Sequence, residues 1–150
     1  MMNFEEDIAF AITIASKEIA DSFNNVVLSY GVTRSQCVAM YYISKSESIT
    51  QKDLASYMHI RESTMTGLLD RLQRDGLIER KVNSEDMRKK SIYLSQKGKK
   101  KLMEIEDIAI DFVKCSESDL SEEDIRKFKE IIAKMENSTR KWEKANLKSF

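Results

Sequence analysis

The polar residues between Arg61 and Arg74 are the ones in this sequence best suited to binding chemistry. Hydroxyls, a glycine and arginines recur there at helical spacing: Ser63, Thr64, Thr66, Gly67, Arg71 and Arg74. At about 100° per residue, the opposite side is an apolar stripe formed by Met65, Leu68, Leu69 and Leu72. Small polar side chains at one end of this helix and arginines at the other would let a nucleic-acid groove come close. The chemistry expected of this surface is hydrogen bonding and charge pairing with a polyanion.

The segment 50–94 contains the elements that would position this surface. Its pattern predicts a short helix, a turn, a second helix ending at Gly76, and then two strands, 77–82 and 91–94. Polar and charged residues fill the tip between the strands, 83–90. This order of elements is the plan of a winged helix-turn-helix, with the second helix as the recognition helix.

Helix-start signals frame this segment. Thr33 and Gln36 have the spacing of a capping box, Thr50 gives a second start, and Ser121 gives a third. Apolar residues at helical spacing also predict a long first helix over residues 3–28. The chain is therefore expected to be mainly helical.

The ordered motifs within residues 49–98 resemble the MarR family of bacterial transcription regulators. The matching residues are Leu54-Ala55, Ser63-Thr64-Met65-Thr66, Asp70-Arg71-Leu72, Asp75-Gly76-Leu77-Ile78-Glu79-Arg80, Asp86-x-Arg88 and Ser95-x-x-Gly98. The resemblance implies a mainly α fold with a small β-hairpin wing, a winged helix-turn-helix with long terminal dimerisation helices. In these terms residues 1–150 form one domain, with dimerisation helices at 1–30 and 96–150 and a winged helix-turn-helix lobe at 31–95.

The resemblance also implies which residues meet double-stranded DNA. In the family the residue matching Arg88 reaches into the minor groove, where a narrow groove concentrates negative potential, and the residue matching Asp86 positions the wing. The residues expected to face the major groove are Ser63, Thr64, Thr66 and Arg74. Those expected to hold the DNA backbone are Thr50, Gln51 and Arg71. The predicted DNA-binding set also includes Arg61, Gly67, Lys89 and Lys90.

Two positions of the recognition helix depart from the family pattern. Arg61 stands where a capping serine or aspartate is usual, so the helix start is expected to be poorly capped. Gly67 replaces the basic residue that commonly follows the second hydroxyl. Glycine inside a helix costs about 1 kcal/mol relative to alanine, and either close approach to DNA or simple drift accounts for it. The base preference of the family therefore does not transfer to this chain.

The charges of the chain are balanced overall but unevenly distributed. There are 25 basic and 25 acidic residues, yet residues 50–101 hold thirteen basic and seven acidic ones. Both flanking segments have an acidic excess. A basic surplus confined to one region is expected when only that region meets phosphate. Lys97 and Lys99 to Lys101 crowd a helix start against its dipole, which leaves an external anion or plain solvation as alternatives.

The sequence argues against an enzyme, a cofactor and a metal site. It has no glycine-rich phosphate loop and no nucleophile motif, and its single histidine, His59, has no evident carboxylate partner. Cys37 and Cys115 lack zinc-ligand spacing. Neither lies near the start of the first helix, where the redox-sensing branch of the family has its cysteine, so both are expected to be structural. No membrane-spanning run or signal peptide is found, and a cytoplasmic protein is expected.

The terminal helices carry apolar stripes too long for a domain of this size to cover alone. Their simplest use is a homodimer, which is also how the family assembles, while a monomeric helical bundle is the alternative. A two-fold dimer would set two recognition helices roughly 34–36 Å apart, about one turn of DNA. The expected partner is therefore a pseudo-palindromic operator in double-stranded DNA.

These observations predict a sequence-specific DNA-binding regulator, in the first instance a dimeric repressor released by a small molecule. The family often binds small phenolic or other anionic ligands between its dimer helices and the DNA-binding lobe. Candidate lining residues here are Tyr30, Tyr41, Tyr42 and His59, although aromatic residues more often belong to the core. The alternative function is a winged helix that docks onto another protein.

Overall fold

The computed structural model describes residues 7–82 and 90–146. In chain order the elements are α1 (Ile8–Leu28), α2 (Arg34–Ser44), β1 (Ile49–Thr50), α3 (Gln51–Tyr57), α4 (Glu62–Arg74), β2 (Ile78–Val82), β3 (Lys90–Leu94), α5 (Gln96–Ser116) and α6 (Glu122–Asn146). The chain divides into two compact units, one ending at Phe112 and the other beginning at Val113. The predicted fold class, mainly α with a small β-hairpin wing, is confirmed, and the hairpin is part of a three-stranded antiparallel sheet.

The helices begin where side chains can satisfy their first backbone N–H groups. Thr33 and Gln36 form the predicted capping box of α2, and the Thr50 hydroxyl accepts a hydrogen bond from the Asp53 amide at the start of α3. The first helix begins at Ile8, later than predicted, because the Asp7 carboxylate accepts from the amides of residues 9 and 10. Two of these starts, those of α2 and α3, were readable from the spacing of capping residues.

The sheet has three antiparallel strands in the order β1-β3-β2. Ile92 in the central strand lies opposite Ile49 on one side and Arg80 on the other. The hairpin of β2 and β3 was predicted, but β1 was not, because two residues are too few to show an alternating pattern. The added strand joins the start of α3 to the hairpin.

The core of the first unit lies between α2, α3, α4 and the sheet. Its largest fully buried side chains are Met40, Ile49, Leu54, Met65, Leu69, Leu72 and Ile105. The last of these belongs to α5, so the first half of that helix packs on the same core. Helix α4 thus packs with its whole apolar stripe on a continuous core.

Short hydrogen bonds and a close backbone contact hold the end of α4 against the start of α5. The Ser95 hydroxyl donates to the Gly76 carbonyl at 2.6 Å, and the Ser95 amide donates to the Leu77 carbonyl at 3.0 Å. A Cβ at Gly98 would collide with that same Leu77 oxygen. Gly76 itself has a φ of +73°, a conformation that favours glycine. These contacts give a physical reason for the Ser95-x-x-Gly98 motif.

The second unit contains the end of α5 and all of α6. Ser121 caps α6, because its hydroxyl accepts from the Asp124 amide at 3.2 Å and donates to the Asp124 carboxylate. No described residue of α6 is fully buried, and Phe128 and Trp142 are 56% and 68% exposed. The predicted apolar stripe is thus present but only partly covered, with Ile125, Ile132 and Met135 half-buried.

Candidate nucleic-acid interface

The two sides of α4 differ as the sequence predicts. Its apolar stripe is buried, with Met65, Leu69 and Leu72 at 0% exposure and Leu68 at 3%. The predicted polar face is exposed at every position: Ser63, Thr64, Thr66, Gly67, Arg71 and Arg74. Because the buried stripe fixes the rotation of the helix about its axis, these polar groups are held toward solvent.

The start of α4 is open. Arg61 is the N-cap residue and makes no side-chain capping bond, as expected from the sequence. Its side chain is exposed. A Cβ placed at Gly67 would meet no atom within 4 Å, so packing within the described chain does not require glycine there. The face therefore combines unpaired helix-start amides, an arginine and a position where the backbone is uncovered.

Gln51 in α3 bonds directly to the polar face of α4. Its Nε2 donates to the Thr66 hydroxyl at 2.9 Å, and that hydroxyl lies 3.0 Å from the Glu62 carbonyl oxygen. Sequence reasoning assigned Gln51 to the DNA backbone and did not predict this bond, which joins residues fifteen apart. The Thr50 hydroxyl donates to the Asp53 carboxylate at 2.6 Å, so its hydrogen is not available to a phosphate in this arrangement.

Asp70, one of two acidic residues in α4, is paired, and the other, Glu62, is exposed in the first turn. Asp70 accepts from the Arg80 guanidinium at 2.7 Å, and the Arg80 side chain is only 23% exposed. Arg74 lies 3.6 Å from the Asp75 carboxylate, with its own side chain 74% exposed. The Asp70 pairing reduces repulsion toward an approaching polyanion.

The predicted wing residues Asp86, Arg88 and Lys89 lie outside the described residues. Lys90 is described: it is the first residue of β3, pairs with Val82 and is exposed.

The lysines at the start of α5 are only partly available to an external anion. Lys97 donates to the Asp75 carbonyl at 2.8 Å, which helps to close the end of α4, and Lys101 pairs with Glu104 at 2.7 Å. Lys99 and Lys100 are exposed. Two lysines of the run thus have partners that the sequence did not suggest.

A pocket of about 560 Å³ opens beside the sheet. Its lining residues are Ile43, Ser44, Ser46, Glu47, Tyr93, Leu94, Lys99, Leu102, Met103 and Glu106. None of the four predicted cleft residues lines it. Instead Tyr42 stacks on Tyr57 with 5.6 Å between ring centroids, and Tyr41 packs edge-on against Tyr42. His59 lies in the turn before α4 with a φ of 50°.

The two cysteines have different surroundings. Cys37 is buried in the core, and burial raises the pKa of its thiol, which lowers the reactive thiolate fraction. Cys115 is exposed. In the described ranges no cluster of His, Cys, Asp and Glu is suited to a metal ion. None of the described helices has the length and apolar character needed to cross a membrane.

The sequence of this chain is similar to those of known transcriptional regulators. The sequence profile of the MarR family matches residues 32–90. The chain is 27% identical over 124 residues to the organic hydroperoxide resistance transcriptional regulator of Bacillus subtilis, covering 81% of this chain and 84% of that protein. It is 32% identical over 91 residues to the transcriptional repressor YetL of the same organism, covering 57% of this chain and 54% of that protein.

The fold also matches solved structures. The crystal structure of the Staphylococcus aureus MepR–DNA complex superposes with a TM-score of 0.81 at 26% identity, covering 88% of this chain and 98% of that one. That match extends well beyond the segment covered by the family profile, so the similarity includes the flanking helices.

Proposed function

We propose that this chain, which is similar to the MarR family of transcriptional regulators, is a member of that family, binds a pseudo-palindromic operator as a homodimer and represses transcription. In this proposal Ser63, Thr64, Thr66 and Arg74 face the major groove. Arg71 holds the DNA backbone, and Arg88 enters the minor groove.

The observation that carries the proposal is the division of α4 into two faces. Four buried apolar residues fix the helix on the core, and the opposite face exposes hydroxyls, arginines and a glycine. Helices of this kind place their polar face in the major groove of DNA. The similar MepR structure is a complex with DNA, which supports the same use of the fold here.

The homodimer is proposed from the apolar surface of the long helices. Ile14 and Ile19 of α1 are 45% and 54% exposed, and Phe128 and Trp142 of α6 are more exposed still. Large apolar side chains in such number usually mark an interface. A second copy of the chain offers the same surfaces, and a two-fold axis then spaces the two α4 helices for successive turns of DNA.

Release by a small anionic or phenolic molecule is the finer part of the proposal. The pocket beside the sheet combines Lys99 with the apolar side chains of Tyr93, Leu102 and Met103. Lys99 beside this apolar wall suits the charged end of an aromatic anion, which would have to lie away from Glu47 and Glu106 of the same lining. Because Lys99 belongs to α5 and Tyr93 to the sheet, a molecule bound between them would contact both elements.

The test is a mobility-shift titration of the purified protein on the DNA upstream of its own gene. Binding is measured at about 50 mM and about 200 mM salt, because log affinity falls with log salt by roughly 0.9 per phosphate neutralised. We expect binding that survives excess unrelated DNA and weakens at least tenfold, roughly, at the higher salt. A DNA affinity that does not change with salt concentration would instead favour a protein-docking role.

Two variants sharpen this test. Arg88→Ala should weaken operator binding and leave the dimer intact, because in this proposal Arg88 contacts DNA whereas the long helices form the dimer. Arg34→Ala, an exposed arginine outside the predicted DNA-binding set, is the matched control and should bind as the wild type does. Equal affinity of the Arg88 and Arg34 variants would contradict the role given to the wing.

A further inference from the structure

A side-chain hydrogen bond joins Gln51 at the start of α3 to Thr66 on the polar face of α4. The Thr66 hydroxyl has one hydrogen and two lone pairs to share. Its neighbours at hydrogen-bond distance are the Glu62 carbonyl oxygen at 3.0 Å and Gln51 Nε2 at 2.9 Å. The Glu62 carbonyl oxygen can only accept, so the Thr66 hydrogen goes to it. With Gln51 Nε2 facing Thr66 both bonds form, whereas a reversed amide would place Oε1 there and leave two acceptors for one hydrogen.

These two bonds fix the polarity of Thr66. Its hydrogen is donated to Glu62, one lone pair accepts from Gln51, and one lone pair remains. Thr66 is exposed on the polar face of α4, so this remaining lone pair is what its hydroxyl can offer to a ligand. The hydroxyl is thereby an acceptor only, although an unconstrained threonine can both donate and accept.

In the major groove the four bases differ in the polarity of the groups they present. Adenine and cytosine present an amino group, which donates, whereas guanine and thymine present carbonyl oxygens, which accept. An acceptor facing a carbonyl oxygen leaves both without a hydrogen and costs free energy. An acceptor facing an amino group forms a bond.

We infer that Gln51 is a positioning residue that makes Thr66 select an amino-bearing base, adenine or cytosine, on one strand of each operator half-site. The inference rests on the proposed function and assigns a base preference to one of its contacts. Without Gln51 the Thr66 side chain regains its second favoured rotamer. Its hydroxyl can then turn from Glu62 and donate, and a carbonyl-bearing base becomes acceptable.

The experiment is selection of binding sites from a library of random DNA duplexes, followed by sequencing. Four proteins are compared with the wild type: Gln51→Met, Thr66→Val, Thr66→Ser and Gln96→Met. Gln51→Met keeps the size of the side chain and removes its donor. Gln96, the exposed first residue of α5, is the matched control for that change. Thermal unfolding of each variant, followed by circular dichroism, is the control for correct folding.

The expected result is confined to one position of each half-site. The wild type, Thr66→Ser and Gln96→Met should favour adenine or cytosine there by about tenfold, the usual scale for one mismatched base pair. Gln51→Met and Thr66→Val should lose that preference while the rest of the motif stays the same.

Two results would overturn the inference without contradicting the proposed function as a DNA-binding regulator. One is a Gln51→Met motif identical to that of the wild type. The other is a wild-type preference for guanine or thymine at the position that Thr66→Val relaxes. Failure of the wild type to enrich any sequence is distinguishable from both, since it would overturn the proposed function itself and this inference with it.

Discussion

Helices α4 and α6 each carry one apolar stripe, but the two stripes differ in burial. In α4, Met65, Leu69 and Leu72 are fully buried in the core. In α6, no described residue is fully buried, and Phe128 and Trp142 are more than half exposed. The polar faces differ too, since α4 presents hydroxyls and arginines whereas α6 is lined with ion pairs between its own residues, such as Arg126 with Glu123 and Glu130.

This difference indicates what each helix is available to bind. The apolar side of α4 is already used within the chain, so a partner meets only its polar side. The apolar side of α6 is still available, and fully burying a phenylalanine side chain is worth about 1.5–3 kcal/mol. A polar face held rigidly suits DNA, and an apolar stripe that is only partly covered suits a second apolar surface. The variants below separate these two roles.

The largest expected effect on the free energy of unfolding follows from truncating a buried side chain of α4. Leu69→Ala should lower the free energy of unfolding by about 2–5 kcal/mol, because it removes buried methyl groups and leaves a cavity. Urea unfolding followed by circular dichroism measures this change. A loss below about 1 kcal/mol would mean that the site collapses around the smaller residue and that α4 is less firmly seated than its burial indicates.

The matching change in α6 should act on assembly. Phe128→Ala is expected to weaken the dimer by about 2 kcal/mol, roughly 30-fold in dissociation constant, if Phe128 is a central interface residue. Sedimentation equilibrium over a range of concentrations measures it. Lys129→Ala, the exposed neighbour in the same helix, is the control and should leave the dissociation constant nearly unchanged. A Phe128 variant that dimerises like the Lys129 variant would remove α6 from the proposed interface.

A smaller effect should appear at the uncapped start of α4. Arg61→Ser supplies a hydroxyl that can accept from the free helix amides, so the free energy of unfolding should rise by about 0.5–1 kcal/mol. DNA affinity should fall at the same time, because a positive charge is lost from the interface. Arg61→Ala loses the same charge without gaining a cap and should not be stabilised. Equal stability of the two variants would show that the start of α4 gains nothing from a cap.

The sequence predicted most of the elements around α4 because their signals are local. Capping residues three positions apart and apolar residues at helical spacing located α2, α3, α4 and α6, and the capping box at Thr33 was correct in detail. The first helix began later than predicted because apolar periodicity does not reveal a competing cap, here Asp7. The two-residue strand β1 was missed because it is too short to show a period.

Long-range side-chain bonds were beyond sequence reasoning. Gln51 and Thr66 were both predicted to meet DNA, but their bond depends on how α3 crosses α4, which spacing along the chain does not encode. Lys97 was grouped with a solvent-facing or anion-binding run, yet it closes the end of α4. In each case the residue type indicated a polar contact, but the sequence did not indicate which residue would be the partner.

The smallest predicted effect concerns acid and the start of α6, which, unlike the start of α4, has a side-chain cap. Hydrogen bonds from the Ser121 side chain and amide hold the pKa of Asp124 below its ordinary value of 3.8. A carboxylate with a lowered pKa stabilises the folded state above its unfolded-state pKa, and this contribution is lost as the pH falls through the folded-state value. The cap should therefore be intact at neutral pH and weaken only below about pH 4.

Ser121→Ala tests the origin of that shift, because it removes the side-chain bond that contributes most to it. Carboxyl NMR titration of Asp124 should show its pKa moving up toward the ordinary value in this variant. Ser118→Ala, in the turn just before α6, should leave it where it is. If the pKa of Asp124 were the same in both variants, Ser121 would not be the cap of α6. Helices α4 and α6 would then no longer differ in how they begin, because neither would have a side-chain cap. The difference between them would rest on the burial of their apolar stripes.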